Sequence, residues 1–385
     1  MAKLFRVTTV PISVEKLLGQ QLTYMNSFYD VTAISADQPY LDRVGAELHI
    51  KTHSIEMTRK ITPLQDLKSL WEMYRYFRQQ KPEIVHSHTP KAGLIGMLAA
   101  KLAGVKIRLH TVAGLPLMES VGTKRKVLNF VEKFTYSCAT KVYPNSYGLY
   151  NFIIAEKLGV PAKLQVIGNG STNGINTDYF DSASFSTEVT TALRRQLNIL
   201  LDDFVFVFVG RLVKDKGINE LVSAFVKVQA SSSKKLKLLL VGPLEQDLDP
   251  LAPAVLQTID SNPDIISLGF QKDVRPYFAI GDALVFPSYR EGFPNVVLQA
   301  LSMGIPALVS DINGCNEIVQ DGYNGSIFPA KDEIALQKSM AQILTDHFYE
   351  TVKANSRSSI MKYEQQVIWN LLKENYDNLL KQHGL

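Results

Sequence analysis

The stretch Pro287-Ser-Tyr-Arg-Glu291-Gly-Phe-Pro-Asn-Val-Val-Leu-Gln299-Ala300 holds a carboxylate, a turn and a polar side chain within one short passage. A buried strand is expected to end at Phe286 and a helix to begin near Pro294, because proline suits a first helical position. The first N–H groups of such a helix have no intrahelical acceptor and are ready for a phosphate. Gly292, Phe293, Pro294 and Asn295 form that turn. Glu291 precedes it, and Gln299 is placed two turns into the helix, so both are expected to reach one ligand. The competing reading is a plain helix entry in which Glu291 only complements the helix dipole.

A second passage, Gly210-Arg211-Leu-Val-Lys-Asp-Lys216-Gly217, follows the apolar run Phe204–Val209 and leads into a helix. Arg211 offers a planar fork and Lys216 a compact charge, a pair suited to a diphosphate leaving group. Charged loops after strands are common. Both passages, however, follow strands of what reads as one sheet, and this strengthens each.

Short β-branched runs alternate with helix-length amphipathic segments along the whole chain. In the first half the expected strands are 3–10, 30–35, 47–53, 84–86, 107–111, 141–144 and 164–167. Helical patterns lie between them at 63–80, 91–103, 124–137 and 146–158. This is the α/β pattern of a parallel sheet covered by helices on both faces. A Gly/Asn/Ser/Thr-rich stretch, 168–176, reads as a linker. A second series of strands follows at 204–209, 236–241, 265–268, 283–286 and 307–310. Phe-Val-Phe-Val-Phe-Val at 204–209 is apolar at every position, as a strand buried on both faces should be. Two Rossmann-like domains facing a central cleft are expected, 1–175 and 176–362. The terminal helix, 363–385, is assigned to the first. Ligands of such sheets bind at the carboxyl ends of the strands.

With 385 residues, 46% apolar and 20% charged, the chain can bury two cores of ordinary size. Cys138 and Cys315 stand far apart in no metal-ligand spacing, which fits a reduced, cytoplasmic protein. No signal-peptide pattern opens the chain, and no apolar run reaches the ~18 residues of a spanning helix. The net charge of +4 is uneven: residues 1–180 carry 22 Lys/Arg and 13 Asp/Glu, whereas the remainder carries 19 and 24. A basic first half suits phosphate or acidic lipid, and no nucleic-acid-binding signature accompanies it.

These passages, with Val241-Gly242, Asn313-Gly314-Cys-Asn-Glu317-Ile-Val and Gly322-Tyr-Asn-Gly325, resemble the family 4 glycosyltransferases of the GT-B fold. The resemblance covers nearly the full length. Ile84-Val-His86-Ser-His88-Thr-Pro-Lys91-Ala-Gly93 and Val166-Ile-Gly-Asn-Gly170-Ser-Thr-Asn-Gly174 look like the branch that builds capsular and surface polysaccharides. The resemblance implies retaining, hexosyl-type transfer from a nucleoside-diphosphate sugar, such as a UDP-sugar, to an oligosaccharide acceptor that is often lipid-linked. It implies no cofactor and no metal. Glu291 would hold hydroxyls of the donor sugar, and amides around Phe293 to Asn295 would meet the diphosphate. Arg211 and Lys216, after Gly210, would neutralise it as it leaves, and Gln299 stands where the family binds the ribose.

The chain departs from the family at three places. Glutamine replaces a family glutamate at Gln299. Ala113, in Leu109-His110-Thr111-Val112-Ala113-Gly114, stands where a histidine usually faces the reacting sugar. His110, slightly earlier on the strand, is expected on the same side and able to substitute, beside a purely structural reading. Thr8-Thr-Val-Pro-Ile-Ser13 replaces a glycine-rich loop. Thr9 and Ser13 there, with His88, Lys91 and Thr111, are the acceptor-side candidates. His86 and His88 are read as alternating across a strand end, so that one of them faces the ligand.

Residues 123–134 join a basic cluster to an apolar helical stripe, which could lie on an anionic bilayer or pack inward. Two other functions stay open. One is a sugar-nucleotide epimerase or hydrolase of the same architecture, which would need a convergent carboxylate pair. The other is a catalytically silent nucleotide-sugar binder. A dinucleotide oxidoreductase lacks its Gly-x-Gly-x-x-Gly.

Overall fold

In a computed structural model the chain is described throughout except at residues 59, 61 and 248, and at the side chains of 116 and 119. It divides into two compact units, Met1–Gly174 with Gln365–Leu385, and Ile175–Glu364.

The first unit is built on a six-stranded parallel sheet. Its strands are β1 (Lys3–Val7), β2 (Asp30–Ser35), β3 (Lys51–Ser54), β4 (Ile84–Ser87), β5 (Ile107–Val112) and β6 (Lys141–Pro144), in the order β3-β2-β1-β4-β5-β6. Side chains alternate across each strand, so the two faces have separate cores. Phe5, Val7, Val85 and Val112 pack with Met73 and Phe77 of the helix Pro63–Gln80 and with Ile95 of the helix Pro90–Leu102. Leu4, Ile84, Leu109 and Tyr143 pack with Leu372 and Tyr376 of the last helix, Gln365–Gln382. That helix therefore supplies part of the first unit's own core.

The second unit repeats the winding. Its strands β7 (Phe204–Val209), β8 (Leu236–Val241), β9 (Ile265–Gly269), β10 (Ala283–Phe286), β11 (Ala307–Ser310) and β12 (Gly325–Phe328) are ordered β12-β11-β10-β7-β8-β9. Relabelled from its own first strand, this is the order of the first sheet. In both, the strand order reverses between the first and fourth strands, and the loops leaving those two strands flank the crevice where such sheets take ligands.

Several boundaries differ from expectation for local reasons. Glu47 and Leu48 close the helix Gln38–Leu48, and His49 turns the chain with φ 54° before β3. The apolar run 164–167 is not a strand, since only Leu164 bridges Val142 and the residues before it form a single turn. Pro294 caps the helix Asn295–Ser302 rather than starting it, so Gln299 lies one turn in, not two. The short strand β12 escapes the sequence reading because it opens on a glycine and holds only four residues.

Candidate active site

In the second unit the loops after β7 and β10, the switch-point strands, are locked together. A Cβ on Gly217 would fall 2.1 Å from the carbonyl oxygen of Pro287, and φ here is +71°, so only glycine lets the loops touch. The Tyr289 amide donates to the Asp215 carbonyl at 2.9 Å, and Arg290 pairs with Asp215 at 3.1 Å. The Tyr289 hydroxyl donates to Glu220 at 2.7 Å.

Between these ties sit the two residues with the sharpest expected roles. Lys216, ending the turn Lys214–Lys216, forms an ion pair with Oε1 of Glu291, which also accepts from the Ser288 hydroxyl at 3.0 Å. Both side chains are 18% exposed, sheltered enough for charge to act strongly yet open to a ligand. Cys315 is buried against this pair. Its thiol is held well above the ordinary range, first by burial and then by the Glu291 carboxylate, with Lys216 opposing. It is a packing residue rather than a nucleophile.

Arg211 is more open, and it pairs with Glu245 at 2.9 Å. A diphosphate would have to draw the guanidinium away from that carboxylate. Gly292, Phe293 and Pro294 are buried, Phe293 against the Tyr363 ring at 5.3 Å, while Asn295 is exposed at the helix start. The Gln299 side chain is half-buried and bonds no described residue, so its amide is available. Gly210, at the end of β7, completes the rim. Sequence reasoning did not find Glu245 or Ser288. Glu245 had no visible signal; Ser288 lay inside the quoted passage.

In the first unit the corresponding switch point lies between β1 and β4. Arg6 of β1 is wholly buried, its Nε donating to Nε2 of His88 at 2.9 Å and Nη2 to Gln21 at 2.6 Å. Gln21 in turn donates to the Thr172 carbonyl and Asn173. His86 bonds the Tyr376 hydroxyl through Nδ1 and Thr111 Oγ1 through Nε2, the latter at 2.7 Å. The reading of His86 and His88 as facing opposite ways is corrected. Two residues apart, they share a side, with ring centroids 4.1 Å apart. Burial, helped by Arg6, holds both imidazoles well below their usual range, so both are neutral.

The expected orientation of His110 is also corrected. It stands three positions before Ala113, an odd spacing, and it lies on the opposite sheet face from Thr111. Its Nδ1 meets the Ser87 hydroxyl at 2.9 Å, and its ring presses so closely on the helix Pro90–Leu102 that a Cβ on Gly93 would sit 2.4 Å away. Burial pushes its imidazole down to about 4. Of the acceptor-side candidates, Thr9 is buried and bonds Thr89 at 2.7 Å, and Ser13 sits in the helical turn Pro11–Ser13. Lys91 is engaged by Asp66 at 2.7 Å and also reaches Thr58, Lys60 and Thr62, pinning the segment before the helix Pro63–Gln80. Among these candidates only His88 and Thr111 belong to the polar layer around Arg6. Arg6 itself was missed, although a charge inside the strand Lys-Leu-Phe-Arg-Val was its signal.

The helix Gly122–Cys138 keeps Thr135, Tyr136 and Cys138 inside and leaves Phe130, 69% exposed, Val127 and the preceding Val121 outside. Lys124, Lys126 and Lys133 are exposed with them. Among the described residues no helix is long and apolar enough to cross a membrane, and no three metal-ligating side chains gather.

Fold and site thus define a doubly wound α/β protein whose second unit gathers cations, a carboxylate and a helix start at its switch point. Comparison with known proteins gives the family. Residues 189–366 match glycosyl transferases group 1, and residues 19–170 match the glycosyl transferase 4-like domain. The chain is 34% identical over 382 residues to the capsular polysaccharide biosynthesis glycosyltransferase CapM of Staphylococcus aureus, covering 99% of this chain and 98% of that one. It is 28% identical to the UDP-Gal:alpha-D-GlcNAc-diphosphoundecaprenol alpha-1,3-galactosyltransferase of Escherichia coli, covering 93% and 92%. The structure of Anabaena HepE in complex with UDP and glucose superimposes with a TM-score of 0.80 at 18% identity, covering 98% and 100%. The chain belongs to the group 1 glycosyltransferases and has their GT-B fold.

Proposed function

We propose that this chain is a retaining, metal-independent hexosyltransferase. It takes its sugar from a nucleoside-diphosphate sugar, a UDP-sugar foremost, and passes it to a lipid-linked glycan in capsular or surface polysaccharide synthesis. The observation that carries the reading is the meeting of Lys216 and Glu291 at the second switch point, with Arg211 on the loop beside them. As the bond between the anomeric carbon and the diphosphate breaks, negative charge grows on the departing oxygen. Lys216, Arg211 and the first amides of the helix Asn295–Ser302 are suited to stabilise that charge without an ion. Glu291 then accepts from donor-sugar hydroxyls, and Gln299 from the ribose. The names of the Staphylococcus and Escherichia relatives support the pathway and the diphospholipid acceptor.

The exposed Phe130, Val127 and Val121 among lysines support a place on the cytoplasmic face of an anionic membrane, where such an acceptor lies. Pure protein should therefore transfer sugar from a UDP-sugar to a polyprenyl-diphosphate-linked glycan in the presence of EDTA. Product NMR should show the donor's anomeric configuration retained. With the acceptor in anionic vesicles, Phe130→Asp should slow transfer, but not in detergent. Activity that vanishes with EDTA and returns with Mn²⁺ would refute metal independence. Binding without turnover across a panel of nucleotide sugars would favour the silent binder.

Gln299 gives a finer test. Its amide oxygen is a neutral acceptor for a ribose hydroxyl, weaker than a carboxylate. Gln299→Glu should tighten UDP by up to about fivefold, ~1 kcal/mol. Gln299→Leu should weaken UDP with little change in stability. Calorimetric titration reads both, and unchanged affinity in Gln299→Leu would make this residue structural.

A further inference from the structure

The first unit holds a small, partly open cavity of about 20 Å³ at its own switch point, lined by Arg6, His88, Asn145 and Thr172 among others. Four buried polar atoms of these residues have no partner among the described residues: Arg6 Nη1, His88 Nδ1, Asn145 Oδ1 and Thr172 Oγ1. Orphaned buried polar atoms are individually rare and costly, so four on residues that line one cavity call for a ligand.

The chemistry of the lining says which kind. Arg6 is a fully buried cation whose side-chain partners are neutral, His88 and Gln21. A guanidinium enclosed without a counter-charge is strongly disfavoured. Because Nε2 of His88 accepts from Arg6, the proton of its neutral ring sits on Nδ1, which is therefore a donor without an acceptor. The two N–H groups of Nη1 and the Thr172 hydroxyl add three more donors. Asn145 presents an amide oxygen, while its Nδ2 donates to the Ala113 carbonyl at a long 3.4 Å; reversing the amide gives up that weak bond and sets two oxygens side by side, a cost that the fourth donating side chain at the ligand has to offset.

We propose that this cavity is a binding site for a small monatomic anion, a halide, held by Arg6, His88, Thr172 and a reversed Asn145. The size favours a single atom, because a water-sized ligand needs about 10–15 Å³ and a whole phosphate needs several times that. The anion neutralises the buried guanidinium and ties β1, β4 and β6 to the 171–173 loop. No carboxylate does this among the described residues.

The test uses the intact chain. Crystals soaked in bromide should show an anomalous peak bonded to Arg6 Nη1 and His88 Nδ1. In solution, exchanging gluconate for bromide at fixed ionic strength should raise the unfolding midpoint with saturation, as binding to the native state requires. Thr172→Val should weaken the apparent bromide affinity by roughly tenfold, the loss of one hydrogen bond to a charged group. Arg6→Met, where it folds, should abolish the dependence. A water in place of the bromide peak, or a midpoint indifferent to bromide in the wild-type protein, would overturn the proposal. Stabilisation by inorganic phosphate but not by bromide would overturn it equally.

Discussion

Lys216→Ala should lower turnover by roughly 10²–10³, the scale for losing one group that stabilises charge developing in the transition state. The ammonium sits on a turn fixed against the β10 loop by the Gly217–Pro287 contact, so its position beside Glu291 is set by the backbone. Its removal also leaves Glu291, among the described residues, with the Ser288 hydroxyl as its remaining side-chain partner, a poorer arrangement for the sugar-holding role proposed for it. The loss should therefore appear mainly in kcat, with weaker binding of free UDP beside it. Arg211→Ala should fall in the same range, with UDP affinity reduced. Steady-state kinetics and calorimetric titration measure both variants. If both turn over and bind like the wild type, the diphosphate lies elsewhere.

Glu132→Gln should stabilise the protein by roughly 2–3 kcal/mol at pH 8 and hardly at all at pH 4. The Glu132 side chain is on the inner side of the helix Gly122–Cys138, 6% exposed. Burial pushes its carboxyl up to about 7, with Tyr136 working in the opposite sense. A carboxyl with a raised folded pKa binds more protons when folded than when unfolded. Its stability is complete below about 4.5, falls as pH rises toward about 7, and stays low above it. His110 acts in the reverse direction, losing stability as pH falls from about 6.5 toward about 4. Subtracting the variant's stability–pH curve from that of the wild type isolates Glu132. A difference that does not change between pH 4 and pH 8 would mean that the carboxyl is solvated.

How far the sequence could be read depended on how many faces a segment buries. The strands β7, β8, β10 and β11 are runs apolar at nearly every position, and their observed ends coincide with the expected ones. The run 164–167 has the same composition, but the sheet offers it only one bridge, a fact of tertiary pairing invisible locally. In the second unit the candidate site residues could be grouped from the sequence because they sit in sequence-contiguous loops after two strands. The first unit's polar layer is assembled from Arg6, Gln21, His86, His88, Thr111 and Tyr376, scattered over the chain. Periodicity cannot join such residues, although the strand period of two does put His86 beside His88 and His110 away from Thr111, against the expectations for all three.

The connectivity of the units bears on how the protein is made. Ile175 and Glu364 are bridged in parallel, and the Ile175 amide donates to the Tyr363 carbonyl at 2.8 Å. The second unit is thus a closed insert whose ends meet, and all of it leaves the ribosome before Gln365–Leu385 does. The first unit, although translated first, still lacks Leu372, Tyr376 and Leu379 at that moment, with His86 short of its hydroxyl partner. Vectorial synthesis therefore completes the two units in the reverse of their order in the gene. The half containing Arg6 and the basic helix waits, unfinished, for residues 365–385.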